Sequence, residues 1–476
     1  MARQAMLERG LLPDFPVSAL NELGRIPGPA KSTESSTRDL RHLLWCSIDN
    51  DDSRDLDQLT VAESLTNGSC RILIAIADVD ALVKRESALD DHARHNTTSV
   101  YTAGEIFPML PEKLSTDLTS LNFESERMAL VVEFTVSGEG TLQASSLYQA
   151  LVQNHAKLAY RSVAEWMETT QPLPDGIAKA IGLQENLLLQ DRVAQKMKVL
   201  RHQNGALDLE SREARPIFEG DELKDIRGEH SNRAKELIEE FMIAANGVTA
   251  RFLTTHKFPS VRRIVRTPKR WDRIVALASE RGYQLPDAPD AQSLEKFATW
   301  ARTTDPLHFP DLSLSIIKLL GSGEYIVEYP GDTGSGHFGL AVRDYAHSTA
   351  PNRRFPDLLA QRLLKAVLTG NSPPYDKAEL EALAEHCTFQ EDAAKKVERL
   401  VAKSAAALLL ESRIGQRFEA LVTGAADKGT WVRLLQFPVE GRLVSGFQGV
   451  DVGQQLRVEL IHTDVEHGYI DFKKVD

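Results

Sequence analysis

The sequence predicts a mixed α/β (α+β) domain followed by a small all-β barrel of the OB type. Three observations carry this. Strand-length apolar runs separated by loops fill Leu43 to about Val136, and Arg71 to Val79 suits a strand buried on both faces. Helical spacing then takes over: Ile177, Ile181, Leu189, Val193, Met197 and Leu200 mark one helix, and Ser231 to Leu253 reads as a long amphipathic one. Around Gly415 the pattern changes again, to five short alternating strands from Phe418 to Phe472, the number that closes an OB barrel.

In chain order, residues 1–42 read as two short helices, Ala5 to Arg9 and Val17 to Leu23, and a linker rich in Pro, Gly and Ser. Residues 43–413 form the mixed domain. Within it, Arg127 to Val136 turns at Gly138-Glu139-Gly140 into a second strand, Leu142 to Val152, and residues 376–413 read as two helices. Residues 414–476 form the barrel. Arg262, Arg263, Arg266, Lys269 and Arg270 make a basic patch, equally readable as a nucleic-acid guide or a solvated face.

Composition excludes several classes. A net charge of −12 argues against a protein that coats itself in nucleic acid by bulk charge. Cys46, Cys70 and Cys387 share no ligand spacing, so neither zinc nor a disulfide framework is expected. No signal peptide or membrane-length apolar run appears, so a cytoplasmic protein with no membrane partner is expected.

The stretch that concentrates chemistry is Ser47 to Gln58, where Asp49, Asp51, Asp52, Asp55 and Asp57 lie between apolar runs. Two carboxylates about 5 Å apart repel by roughly 3 kcal/mol at an effective dielectric near 20. Either their pKa values rise or a cation joins them, and oxygen ligands point to Mg²⁺, Mn²⁺ or Ca²⁺ rather than zinc. A calcium loop of the EF-hand type fails on two counts. Counting from Asp49, Arg54 stands where the turn needs Gly, and Thr60 where a bidentate Glu belongs.

This acidic stretch resembles the signature of the ribonuclease II/R (RNB) family, an Ile-Asp, a spacer, then Asp-x-Asp-Asp. Asp49, Asp55 and Asp57 match its first three acids, and Gln58 departs at the fourth. Ser99-Val100-Tyr101 followed by Ile106 to Pro111 is similar to a second family block, and Ala156 to Tyr160 to a third. Leu237-Ile238-Glu239-Glu240-Phe241-Met242 resembles a helix with a Glu beside the reaction centre, here Glu239, with Glu240 as the alternative. The last block resembles Tyr-x-His-Phe-Thr-Ser-Pro-Ile-Arg-Arg-Tyr: Tyr345, His347, Thr349, Pro351, Arg353 and Arg354 match, while Ser348, Ala350 and Asn352 depart.

The resemblance implies an RNB catalytic domain closed by an S1-type OB-fold, without the N-terminal cold-shock barrels of many relatives; the short helices at the start read as a cap or an RNA-docking piece. It implies a processive 3′-to-5′ exoribonuclease that hydrolyses single-stranded RNA to nucleoside 5′-monophosphates as a monomer. Asp49, Asp55, Asp57 and Gln58 would hold Mg²⁺, or Mn²⁺, and Arg353 and Glu239 complete the catalytic set. Tyr101, Tyr160, Leu209, His347, Thr349 and Arg354 would contact the RNA. In the barrel, Trp431 and Phe418 are expected to stack on bases, and Lys428 and Arg433 to meet phosphates, with a plain barrel-surface role as the alternative for each. A second implied reading is an RNA-binding protein made weak or silent by Gln58.

Overall fold

The computed structural model describes residues 1–476 apart from 33–35, 170, 210–212, 220–221, 230, 307, 333, 335, 427–428, 438 and 476. Helices α1 (Ala2–Glu8) and α2 (Val17–Arg25) precede strands β1 (Arg38–Asp39), β2 (Cys46–Asp49), β3 (Gln58–Ser64) and β4 (Cys70–Ala77). Helix α3 (Ala88–Asn96) leads into a small hairpin, β5 (Val100–Tyr101) and β6 (Ile106–Phe107), and then to β7 (Glu126–Val136), β8 (Leu142–Gln153) and β9 (Ala156–Ala159). Helices α4 (Tyr160–Glu168), α5 (Asp175–Lys179) and α6 (Leu183–Gln203) follow, then β10 (Glu213–Glu219), β11 (Glu222–Glu229) and α7 (Arg233–Thr255). Strand β12 (Ser260–Ile264) is followed by α8 (Trp271–Ser279), α9 (Ala291–Thr304), α10 (Phe309–Leu320) and β13 (Glu324–Glu328). Helices α11 (Phe355–Leu368) and α12 (Lys377–Glu411) lead to the barrel strands β14 (Arg417–Ala426), β15 (Gly429–Leu434), β16 (Glu440–Ser445), β17 (Gln455–Asp464) and β18 (Tyr469–Val475).

The main sheet runs β1-β8-β7-β4-β3-β2-β9. Its inner strands β4 and β7 are buried along almost their whole length, as apolar runs covered on both faces require. Most neighbours are antiparallel, but β2 and β9 are parallel, with Asp49 opposite Ala159. That register places the end of the first acidic strand beside Tyr160, the first residue of α4. Helix α7 crosses β7 and β8, and Phe241 meets Phe134 edge to face at 6.5 Å between ring centres.

Helix α11 is fixed by charge as well as by packing. Arg362 donates to Asp80 at 3.0 Å, Asp90 at 2.7 Å, the Val83 carbonyl and the Tyr375 hydroxyl, while Lys365 donates to Asp78 at 3.0 Å. Gln361 adds a bond to the Ala77 carbonyl at the end of β4. Buried charges persist only when paired and fully hydrogen-bonded.

The two helices expected over 376–413 are one 35-residue helix. No Gly or Pro interrupts Lys377 to Glu411, and Asp376 caps its start by accepting from the Glu379 N–H, so nothing breaks it over roughly 50 Å. Its far end supplies Ala406, Ala407 and Leu410 to the barrel core. Helix α1 packs on α12, and Met6 and Leu11 share a cluster with Val100 and Phe107, so the N-terminal helix sits as a cap behind the β5–β6 hairpin.

The basic patch around Arg262 is neither a guide nor a solvated face at its two leading residues. Arg262 and Arg263 are buried in β12 and pair with Glu328 and Glu391. Helices α8, α9 and α10 form a separate cluster around Trp271, Phe297 and Phe309.

The last five strands close as β14-β15-β16-β18-β17. Two barrel expectations need correction. Phe418 is 4% exposed and lies inside the barrel, edge-on to Phe437, so it cannot stack on an external base. Arg433 is committed to Asp311 of α10 at 2.6 Å and ties the barrel to the satellite helices. Trp431 lies on the outward-facing side of β15, beside Gly424, whose added Cβ would touch the indole at 3.4 Å. Lys428 lies outside the described residues.

Two outcomes follow. Phe418→Ala should cost about 3–5 kcal/mol in urea unfolding of the barrel transition, and Trp431→Ala less than about 1 kcal/mol. Arg362→Met should cost about 3–5 kcal/mol, because it takes from buried Asp90 its charged partner and leaves Asp80 with Lys365 alone. Burial raises the Asp80 carboxyl, but Lys365 and Arg362 more than offset this and hold it below the usual range. A depressed carboxyl stabilises above its unfolded pKa and loses that contribution as pH falls through the folded one. The Asp80 contribution should therefore be flat from neutrality to about pH 5 and be lost progressively below about pH 4, as pH falls through the depressed folded value. A wild-type acid limb unchanged by Arg362→Met would contradict the assignment.

Candidate active site

The acidic stretch leaves β2 at Asp49, turns through 50–57 and re-enters the sheet at Gln58. Asp49 closes its own loop, accepting at one oxygen from the Ser53 hydroxyl at 2.8 Å and the Asn50 N–H at 2.7 Å. Lys157 on β9 reaches the Ser53 carbonyl at 2.7 Å. Asp57 is 1% exposed. One of its oxygens accepts from the backbone N–H of Asn352 at 3.0 Å, the other from Arg353 Nε at 3.3 Å. Residues almost 300 apart in sequence thus meet at one carboxylate.

The arginine segment is held from three sides. Its start is held by α7, where Asn246 Oδ1 accepts from the Ser348 N–H at 2.8 Å. Its end docks on the segment before Tyr101: Ser99 N–H donates to the Arg353 carbonyl at 3.0 Å and Phe355 N–H to that of Thr97 at 2.8 Å. Asp357, in the first turn of α11, accepts from the Ala350 N–H and from Arg354. Tyr101 points its hydroxyl at Asp55, 3.4 Å away, and its own N–H donates to Glu398 of α12 at 2.9 Å.

The electrostatics set floor against opening. Burial, with help from Asp55 and against Arg353, pushes the Asp57 carboxyl up to about 7. Burial also raises Asp55, opposed by Arg353 and reinforced by Asp49. Burial raises the hydroxyls of Tyr101 and Tyr160, with Arg353 acting on both and Asp49 on Tyr160. Yet the Arg353 side chain remains 45% accessible and Tyr101 42% exposed. The site is a recess, with Asp57 at its floor and Arg353 and Tyr101 open to whatever enters. Among the described residues, the Nε bond to Asp57 is the one hydrogen bond of the Arg353 side chain, which leaves both Nη groups for a ligand.

The structure therefore gathers Asp49, Asp55, Asp57, Tyr101, Tyr160 and Arg353. His347 stands behind this group as a neutral ring: burial and the nearby arginines hold it well below its ordinary pKa, and Nδ1 meets the Tyr325 hydroxyl at 2.7 Å.

Other expectations do not fit. Thr349 is 5% exposed and faces Arg354 rather than a ligand. Arg354 is spent on Asp357 at 2.7 Å. Glu239 lies beside Arg201 at 3.6 Å, and Glu240, its alternative, makes a buried pair with Arg201 at 2.5 Å. Glu240 and Arg201 line a cavity of about 460 Å³ that includes none of the three aspartates. Leu209 packs on the satellite cluster of α8–α10. Gln58 is buried in the β3–β4 ladder, and among the described residues its amide bonds to none of the aspartates. Neighbouring residues of an extended strand point to opposite faces, so a Gln directly after Asp57 is poorly placed to be its partner. Asn352, Ser53, Lys157 and Asp357 were missed as site-forming residues; for Lys157 the signal lay in its place two residues before Ala159, the partner of Asp49.

Among the described residues no three His, Cys, Asp or Glu side chains are drawn together as a ready metal cluster. The donor set nonetheless fits a hard divalent cation. The candidate donors Asp49, Asp55 and Asp57 are all carboxylates, and burial shifts both Asp55 and Asp57 toward the protonated form against the pull of Arg353.

The RNB domain family model matches residues 37–370, and the model of the RNase II-type exonuclease C-terminal S1 domain matches residues 416–475. Ribonuclease R of Escherichia coli (strain K12) is 33% identical over 418 residues, 85% of this chain and 50% of that protein. Ribonuclease R of Thermotoga maritima is 28% identical over 506 residues, 97% of this chain and 68% of that protein. The chain spans about half the length of the first of these. Mycoplasma genitalium RNase R in complex with ribose methylated single-stranded RNA superposes with a TM-score of 0.89 at 22% identity, covering 100% of this chain and 77% of that one. Yeast Ssd1, described as a pseudonuclease, gives 0.70 at 17%, covering 88% and 52%. At those identities the likeness is one of fold. Asp57 and Arg353 both fall inside the matched RNB segment, and this chain belongs to the RNB family, with an RNase II-type S1 domain at its C-terminal end.

Proposed function

We propose that this chain is a 3′-to-5′ exoribonuclease that processively hydrolyses single-stranded RNA to nucleoside 5′-monophosphates, acting as a cytoplasmic monomer. The observation that carries the reading is the recess itself: a buried Asp57 bonded to Arg353, whose Nη groups are free. The curated relatives named Ribonuclease R, and the solved RNase R complex with single-stranded RNA, support the substrate class.

Asp49, Asp55 and Asp57 would hold the cation, Mg²⁺ or Mn²⁺, which supplies Lewis acidity and an activated water. The chain's own residues do the rest. Tyr101 offers an exposed ring for the terminal base, and base stacking contributes roughly 1–3 kcal/mol without sequence preference. Arg353, oriented by Asp57, presents its free edge to the non-bridging phosphate oxygens, where negative charge grows during attack. Water adds to phosphorus, the bond to the 3′ oxygen of the preceding nucleotide breaks, and that oxygen leaves as a hydroxyl on the shortened chain. The terminal nucleotide departs with its 5′-phosphate. Gln58, buried in the strand ladder, is not needed for any of these contacts, which favours an active enzyme over a silent binder.

The test is incubation of 5′-labelled, unstructured RNA with Mg²⁺. The wild type should shorten the RNA from its 3′ end to a short 5′-labelled end product with few intermediates between. Asp57→Asn should lower the rate by about 10³-fold and Arg353→Lys by about 10²-fold. RNA that is bound but never shortened by the wild type would overturn the proposal in favour of a silent binder, and internal cuts would overturn it in favour of an endonuclease.

A further inference from the structure

Two polar side chains near the site belong to no step above. Asn352 is 1% exposed and occupies a position where the family pattern has Ile. Its Oδ1 lies 2.5 Å from Thr119 Oγ1, and its Nδ2 is buried with no hydrogen-bond partner. Thr119 is 4% exposed, and its hydroxyl also lies 2.8 Å from the Leu114 carbonyl. The Thr119 hydroxyl donates to Asn352 Oδ1, a distance suited to an O–H···O bond, while the Leu114 carbonyl is also held by the Thr119 N–H.

The residues after Thr119 grip the opposite half of the recess. Ser120 Oγ accepts from the Leu56 N–H at 2.9 Å and lies between the Asn122 amide oxygen at 2.8 Å and the Arg54 carbonyl at 3.1 Å, and the Leu121 N–H donates to the Leu56 carbonyl at 2.9 Å. Leu56 lies between Asp55 and Asp57. Residues 119–121 thus form a clip, with one end on the aspartate segment and the other on the residue whose N–H holds Asp57 and whose neighbour is Arg353.

We infer that Thr119 and Asn352 are positioning residues, and that the hydrogen bond between them sets the spacing of Asp57 and Arg353. This rests on the exonuclease reading. A displacement of about 1 Å at a reacting group costs up to roughly 10²-fold in rate, so a lost clip bond should appear in turnover rather than in RNA affinity. The full chain would be assayed with 5′-labelled oligoadenylate and Mg²⁺, with thermal unfolding of each preparation as a folding control. Thr119→Val should lower kcat about tenfold with KM within about twofold, while Thr119→Ser, which keeps the hydroxyl, should stay near wild type. Asn352→Ile should lower kcat similarly, and the double variant should be no worse than Asn352→Ile alone. Wild-type kcat in Thr119→Val, or multiplying effects in the double variant, would overturn the inference while leaving the exonuclease standing. If Thr119→Val fails to fold, Thr119→Ala against Thr119→Ser gives the same comparison. A wild type that shortens no RNA would sink the parent reading, and this one with it.

Discussion

The structure depends on holding one carboxylate nearly out of water beside a single guanidinium. Asp57 is 1% exposed, and an isolated ionised carboxylate cannot persist there. It is met by one backbone N–H and one guanidinium, both from a segment 295 and 296 residues away. Even so, burial pushes its carboxyl up to about 7. The recess is under-compensated, which suits the cation and the phosphate chemistry proposed for it better than a finished structural ion pair would.

Most of the fold can be understood as what brings that segment to the sheet and keeps it there. The parallel register of β2 and β9 brings Asp49 and Tyr160 together. Asn246 on α7 and Asp357 on α11 fix the two ends of the arginine segment, and the buried charges around Arg362 and Lys365 hold α11 to the end of β4. Pairs of this kind contribute little net stability over apolar packing, but breaking one is costly. That asymmetry suits a scaffold whose task is to hold distant groups at fixed separation.

Much of the site was legible in the sequence because motif spacing survives folding: Asp49, Asp55, Asp57, Tyr101, Tyr160 and Arg353 do converge. What failed depended on facing, which motif spacing does not encode. Phe418 reads as a surface aromatic in an alternating strand, but its phase points inward. Thr349 and Arg354 flank residues of the site yet turn to Asp357 and to each other. Glu239 and Glu240 look interchangeable in sequence, and only the position of Arg201, on a different helix, separates them. Arg262 and Arg263 look like a solvated patch because their partners, Glu328 and Glu391, lie 66 and 128 residues downstream. The long helix α12 was divided for want of any signal that a helix could run on into a second domain.

The most direct measurement is an anomalous-difference map from crystals of the full chain soaked in Mn²⁺. The account predicts a peak in the recess, bridging Asp57 and at least one of Asp49 and Asp55, on the side of Arg353 that faces solvent. No peak there, or a peak held by Glu239 and Glu240 instead, would contradict it.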